Sequence, residues 1–117
     1  QKTAYALGVR LVGSEMCIRD SACSTLTHRV RSREVTTVEG LEGPEGQLHP
    51  VQQAFIDELG PQCGFCTPGQ VMSAVALLER NSNPTREEAR VAMSGNLCRC
   101  GAYHHYLNAV MTAAGEV

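Results

Sequence analysis

The sequence predicts a mainly α-helical protein built as a compact four-helix bundle. Apolar residues recur at helical spacing in four successive segments after residue 48, and Pro, Gly or Thr residues typical of helix ends bound these segments. Short connections between such segments favour antiparallel neighbours, as in a bundle. A single stretch, Glu34 to Val38, has the β-branched composition of a strand.

The first two helices are predicted from their end signals and apolar faces. The first begins at Pro50, a residue tolerated in the first turn, and ends before Gly60. The second begins at Thr67, which we expect to cap it, with Gln70 completing a capping box. The predicted buried residues are Val51, Ala54, Phe55 and Leu59 in the first helix and Val71, Ala74, Val75 and Leu78 in the second.

The last two helices follow the same rules. The third begins at Thr85, where Glu88 three residues later forms a second predicted capping box. The fourth spans residues 103–114. The predicted buried residues are Ala89, Ala92 and Met93 in the third helix and Tyr103, Leu107, Val110 and Ala114 in the fourth.

The composition excludes several classes of function. The formal net charge is −2, so there is no basic field to attract nucleic acid or an anionic membrane. The longest nearly apolar run, residues 71–78, is far shorter than the roughly 20 residues of a transmembrane helix. The sequence has no Ser/His/Asp set, no pattern of paired acid–base carboxylates and no phosphate-binding loop. We therefore expect no catalytic residue in this chain.

Four of the six cysteines form two close pairs, Cys63-x2-Cys66 and Cys98-x-Cys100, with 31 residues between the pairs. The second and third predicted helices fill this interval as a hairpin, so the four sulfurs are expected to converge at one end of the bundle. Thiolates select zinc, copper(I) or iron–sulfur clusters. The uneven spacing and the neighbouring glycines favour a 2Fe–2S cluster over structural zinc, and unligated or disulfide-bonded cysteines are the third alternative.

Three segments carry a resemblance to a known family: QCGFCTPGQ (62–70), NPTREEA (83–89) and GNLCRCGAY (95–103). They resemble the small iron–sulfur subunits of molybdenum hydroxylases, the group of xanthine dehydrogenase, aldehyde oxidoreductase and carbon monoxide dehydrogenase. The aldehyde-oxidoreductase-like branch is the most similar. The resemblance implies a four-helix bundle with one 2Fe–2S cluster. It also implies a non-catalytic subunit that passes electrons from the molybdenum centre during oxidation of aldehydes or N-heterocycles.

The resemblance also implies roles for individual residues and partners. The cluster ligands would be Cys63, Cys66, Cys98 and Cys100. Cys100 would also approach the molybdopterin, and Gln62 would hydrogen-bond to it, while a large catalytic subunit would hold most of that cofactor. An FAD-binding medium subunit is a further expected partner; nucleic acid and membrane are not. We expect a cytoplasmic location, with the periplasm as the alternative if an export signal precedes this sequence.

The N-terminal part departs from the family pattern. The family carries a second 2Fe–2S site on a plant-ferredoxin-like β-grasp domain, with a C-x4-C-x2-C signature that this sequence lacks. Cys23 lies in register with the fourth ligand of that site, so we expect an orphaned ligand and no second cluster. Cys17 matches nothing in the family. We expect the chain to divide into four segments. Residues 1–21 resemble translated sequencing-adapter sequence, and residues 22–41 are a remnant of the ferredoxin-like domain. Residues 42–48 form a linker, and residues 49–117 form the helical cluster-binding domain.

Overall fold

A computed structural model of the chain describes residues 35–115 together with Leu26 and His28. Between residues 35 and 115 it contains four α-helices and one 3₁₀ turn, so the predicted mainly helical fold is confirmed there. Cys17, Cys23 and the predicted segment 1–21 lie outside the described residues. In chain order the elements are the 3₁₀ turn Val38–Leu41, α1 (Pro50–Asp57), α2 (Thr67–Arg80), α3 (Arg86–Met93) and α4 (Tyr103–Ala113).

The four helices close a ring around one shared apolar core. Helix α1 packs against α4 and α2, and α3 packs against α2 and α4. None of the helices in the described ranges is long and apolar enough to cross a membrane. The most deeply buried apolar residues of this core are Val51, Ala54, Phe55, Ala74, Leu78, Ala89, Ala102, Tyr106, Ala109, Val110 and Ala113.

The predicted strand at Glu34 to Val38 is wrong for the residues that the structure describes. Residues 35–37 have no regular structure, and Val38 begins the 3₁₀ turn. A strand needs a neighbouring strand to pair its backbone groups, and residues 35–115 contain none. The Val38 carbonyl instead accepts a hydrogen bond from Gln52 Nε2 at 3.3 Å, which ties this segment to α1.

A histidine caps the N-terminus of α1. His49 Nδ1 accepts a hydrogen bond from the Val51 N–H at 3.2 Å, and Gln52 Oε1 accepts one from the His49 N–H at 2.9 Å. Burial lowers the pKa of His49, an effect that the charge of Glu79 partly opposes. A lowered pKa keeps the ring neutral, and only a neutral ring has the lone pair that this cap requires.

The predicted burial of Leu59 is wrong because α1 ends at Asp57. Leu59 lies beyond the helix, is 75% exposed and has φ of 51°, in the left-handed region. Its N–H donates to the Ile56 carbonyl, and the Gly60 N–H donates to the Phe55 carbonyl, both at 3.0 Å. This pair of bonds is a Schellman motif, which turns the chain away from the helix axis and moves the Leu59 side chain off the apolar face.

The two predicted capping boxes have opposite outcomes. In α3 the box is confirmed, because Glu88 Oε2 accepts from the Thr85 N–H at 2.7 Å and Thr85 Oγ1 accepts from the Glu88 N–H at 3.3 Å. In α2 it is wrong, because the N-cap is Cys66, whose carbonyl accepts from the Gln70 N–H at 3.0 Å. Thr67 therefore already lies in the first turn, where it cannot act as the cap.

The buried face of α4 differs from the predicted one. Val110 is buried as predicted, but Tyr103 is half exposed and Tyr106 is fully buried. The Tyr106 ring stacks on Phe55 of α1, with ring centroids 5.3 Å apart. This stacking sets the rotation of α4 about its axis, and Leu107 and Ala114 consequently pack only at the edge of the core.

Candidate iron–sulfur site

The two loops that carry the paired cysteines lie at the same end of the helical ring. Cys63 and Cys66 lie in the loop before α2, Cys98 and Cys100 lie in the loop before α4, and the α2–α3 hairpin connects the two loops. The Cys63 thiol contacts that of Cys100, and the Cys66 thiol contacts that of Cys98. All four thiols are free, so a disulfide among them, one of the sequence alternatives, is not formed.

The four thiols form an inner pair, Cys66 and Cys98, and an outer pair, Cys63 and Cys100. Cys98 is only 7% exposed and Cys66 is half-buried, whereas both members of the outer pair are exposed. No three His, Cys, Asp or Glu side chains within the described part of the chain are arranged to hold a single metal ion. The ligand candidates thus come as two pairs, each with one cysteine from each loop, at the point where the two loops meet, which we call the loop junction.

Within the outer pair, one thiol is favoured as the thiolate. The backbone N–H of Phe65, followed by the neighbouring Cys100 thiol, lowers the pKa of Cys63. The backbone N–H of Cys63 is the strongest single influence on Cys100 and favours its thiolate. The Cys63 thiol, burial and the charges of Cys63 and Cys98 together outweigh it and raise the pKa of Cys100. Two adjacent thiols resist simultaneous ionisation because their charges repel.

The inner pair shows the same division. Burial raises the pKa of Cys66. Burial also opposes ionisation of Cys98. Four hydrogen-bonding groups together outweigh it and lower the pKa of Cys98: the Ala102 N–H, the Cys66 thiol, the Cys100 N–H and the Tyr106 hydroxyl. Backbone N–H groups are therefore directed at sulfurs of both pairs. Such donors stabilise the anionic sulfur that a thiolate-bound metal requires.

Two glycines shape the cysteine loops. Gly64 has φ of 81° and Gly101 has φ of 74°, values that side chains with a Cβ rarely adopt. The Gly64 carbonyl accepts from the Thr67 N–H, and the Gly101 N–H donates to the Cys98 carbonyl, both at 3.2 Å. These turns fold each loop back on itself, so that both cysteines of a loop lie at the junction.

A polar network anchors the second cysteine loop to α2. Asn96 Nδ2 donates to Ser73 Oγ, which itself donates to the Gly69 carbonyl at 2.7 Å. Gln70, only 1% exposed, donates from Nε2 to the Asn96 carbonyl at 3.3 Å. Asn96 is thus held through both its side chain and its backbone, two residues before Cys98.

Two tyrosines of α4 contact the inner pair. Tyr103 Oη accepts a hydrogen bond from the Cys98 backbone N–H at 2.8 Å. Tyr106 Oη lies 3.3 Å from Cys66 Sγ, and the residue is 2% exposed. Burial, followed by the neighbouring Cys66, raises the pKa of Tyr106, so its hydroxyl stays protonated.

Sequence reasoning missed two residues that contact or position the cysteines, Tyr106 and Asn96. Tyr106 shares the helical face of Ala109 and Val110, three and four residues later, and this spacing was the available indication of its burial. For Asn96 there was no such indication, because its partner Ser73 is 23 residues away in the chain.

The rim of the site combines apolar and polar side chains. A surface cavity of about 420 Å³ at the loop junction is lined by cysteines, Phe65, Leu97 and Arg99. Phe65 is 79% exposed and Leu97 is 86% exposed, which is unusual for large apolar side chains. Gln62 is exposed beside Cys63 at the same end. The cysteine end of the molecule therefore exposes large apolar side chains beside the thiols.

Comparison with known families assigns the fold and the site to one class of protein. Residues 37–111 match the family model described as a 2Fe-2S binding domain. The chain belongs to this family, whose match includes all four paired cysteines.

Individual relatives narrow the class further. The chain is 44% identical over 114 residues to the aldehyde oxidoreductase iron-sulfur-binding subunit PaoA of Escherichia coli (strain K12), which covers 85% of the chain and 49% of the relative. Quinoline 2-oxidoreductase from Pseudomonas putida 86 superimposes with a TM-score of 0.74 at 38% identity, over 80% of the chain and 59% of that structure. Aldehyde oxidoreductase from Desulfovibrio gigas superimposes with a TM-score of 0.76 at 37% identity, over 96% of the chain and 13% of that structure. The chain spans about half the length of the curated subunit relative.

Proposed function

We propose that this chain is the non-catalytic electron-transfer part of a molybdopterin-dependent hydroxylase that oxidises aldehydes or N-heterocycles. The observation that carries the proposal is the convergence of four free thiols, from two loops, at one end of the helical ring. Family membership supports a 2Fe–2S cluster as the group held there. The similarity to an aldehyde oxidoreductase subunit and to quinoline 2-oxidoreductase supports the reaction class.

The residues at the junction fit such a cluster. Four cysteines arranged as two pairs offer two thiolates to each of two irons, and the N–H groups of Phe65 and Ala102 offset negative charge on the sulfurs. When bound, a 2Fe–2S cluster accepts and releases one electron at a time. The ligands in this proposal are Cys63, Cys66, Cys98 and Cys100.

The proposed partner is a large subunit that holds the molybdopterin and docks on the cysteine end. Gln62 and Cys100 are exposed there, as contacts to the pterin require, and Phe65 and Leu97 add apolar contact area. The net charge of −2 favours such mixed contacts over docking by charge alone. An FAD-binding medium subunit and a cytoplasmic location complete the proposal. The proposal places one 2Fe–2S cluster in these 117 residues, with Cys23 as a cysteine that binds no iron.

Anaerobic reconstitution of the full chain, followed by iron and zinc analysis and visible absorption, tests the proposal. We expect a coloured protein with about two irons per chain. Alanine at any of the four junction cysteines should abolish iron binding, whereas Cys17→Ala and Cys23→Ala, the matched controls, should retain it. A colourless zinc protein would instead support a structural zinc domain, and about four irons per chain would reveal a second site.

A further inference from the structure

We infer that Tyr106 sets the reduction potential of the bound cluster by donating a hydrogen bond from its hydroxyl to Cys66 Sγ. The two atoms are 3.3 Å apart, a hydrogen-bond distance for sulfur. The inference rests on the proposed function, because it takes Cys66 as a cluster ligand. Tyr106 would act through Cys66 and is a positioning residue.

The direction of this hydrogen bond follows from the chemistry of the ligand. A cysteine that binds iron is a thiolate, which has no proton and can only accept. The Tyr106 hydroxyl must then be the donor. The residue is 2% exposed, so bulk water does not compete for the sulfur from this side.

The hydroxyl is held in place from two sides. The Tyr106 ring stacks on Phe55 with an interplanar angle of 25°, and α1 and α4 form the most extensive helix contact of the ring. The Tyr106 backbone N–H donates to the Ala102 carbonyl at 3.1 Å, which places the residue in the first turn of α4. A donor fixed in this way needs little rearrangement when the charge on the sulfur changes.

The expected consequence is a raised potential. The reduced cluster carries one more negative charge than the oxidised cluster, so a hydrogen bond to its sulfur is stronger in the reduced state. A donor at Cys66 therefore favours reduction. Among the described contacts, a tyrosine hydroxyl lies against a thiol in the inner pair but not in the outer pair. The second tyrosine nearby, Tyr103, accepts a hydrogen bond from the Cys98 backbone N–H and does not bond to a thiol.

Tyr106→Phe in the reconstituted full chain tests the inference, because phenylalanine keeps the ring and its stacking and removes only the hydroxyl. We expect about two irons per chain and a lower potential in a redox titration followed by electron paramagnetic resonance. We expect the equilibrium constant for reduction to fall roughly tenfold, which for a one-electron couple is a downward shift of the potential by about 59 mV. Thr112→Val is the matched control, because it removes an exposed α4 hydroxyl that bonds Glu58 at 3.1 Å, and it should leave the potential unchanged.

An unchanged potential in Tyr106→Phe with full iron content would overturn the inference and leave the proposed function intact. An unaltered chain that binds no iron would overturn the proposed function instead. If Tyr106→Phe binds no iron, 3-fluorotyrosine at position 106 provides the second test. Its hydroxyl is a stronger donor, so the potential should rise, and an unshifted potential in that protein would equally contradict the inference.

Discussion

At Gly69 the missing side chain leaves room for Asn96. An added Cβ would lie 2.7 Å from Asn96 Oδ1, closer than non-bonded atoms approach. Glycine to alanine within a helix ordinarily stabilises by about 1 kcal/mol. Here we expect Gly69→Ala to lower the free energy of unfolding by about 1 kcal/mol, because Asn96 must give up its bond to buried Ser73. Urea denaturation of the full chain measures this change.

A double-mutant cycle separates the steric clash from other effects of the substitution. In an Asn96→Ala background the obstructing amide is gone, so Gly69→Ala should become neutral or stabilising. The same loss of stability in both backgrounds would show that Asn96 is not the cause.

Single residues also show what a sequence can and cannot predict about the site. The spacing of Cys63, Cys66, Cys98 and Cys100 identified the residues that converge, because a helical hairpin returns the chain to its starting end. Tyr106 and Asn96 were not identified. Their roles depend on the rotation of α4 and on a contact across the ring, and neither is encoded in local spacing.

At the level of elements, the N-terminus of α1 depends on the protonation of His49. The pKa of His49 in the folded chain lies below the ordinary value of 6.5, because burial disfavours the charged ring. Between these two values the unfolded chain binds more protons than the folded chain. The contribution of the cap to stability is therefore complete above pH 6.5 and decreases as the pH falls below it. We expect the free energy of unfolding to fall from about pH 7.5 to about pH 5.5.

His49→Asn isolates this effect from the other histidines. Asparagine is a good N-cap and does not titrate, so the variant should retain α1 and show a smaller loss of stability over the same pH range. Denaturation of both proteins at both pH values gives the difference. Equal pH dependence in the two proteins would assign the loss to other groups.

The elements that were predicted correctly are those specified locally. The capping box of α3 uses Thr85 and Glu88, which lie within one turn, and the structure confirms it. The cap of α2 was predicted wrongly because its start is set by Cys66 in the ligand loop. The strand at Glu34 to Val38 was predicted from β-branched composition, but strand formation also requires a partner strand, and residues 35–115 contain none.

At the level of the whole molecule, the exposed side chains at the rim predict where the proposed large subunit would bind. Phe65→Glu and Leu97→Glu should weaken binding to a molybdopterin-holding large subunit by roughly tenfold or more, because each places a charge in an apolar contact. Iron content should be unchanged, since neither side chain is a ligand. Titration of the reconstituted chain with the large subunit measures the affinity.

Val91→Glu is the matched control for this prediction. Val91 is also an exposed apolar residue, but it lies on α3, away from the cavity at the loop junction. The control should bind the large subunit like the unaltered chain. Equal weakening by all three substitutions would show that the added negative charge, and not its position at the rim, causes the loss.

The unequal exposure of the two thiol pairs has a consequence for how the protein acquires its cofactor. A cluster that enters from the surface would meet the outer sulfurs of Cys63 and Cys100 first, whereas Cys98 is buried in a loop that Asn96 fastens to α2. Binding at the inner pair would therefore follow binding at the outer pair. Loss of the cluster would follow the reverse order, with the exposed Cys63 and Cys100 sulfurs released last.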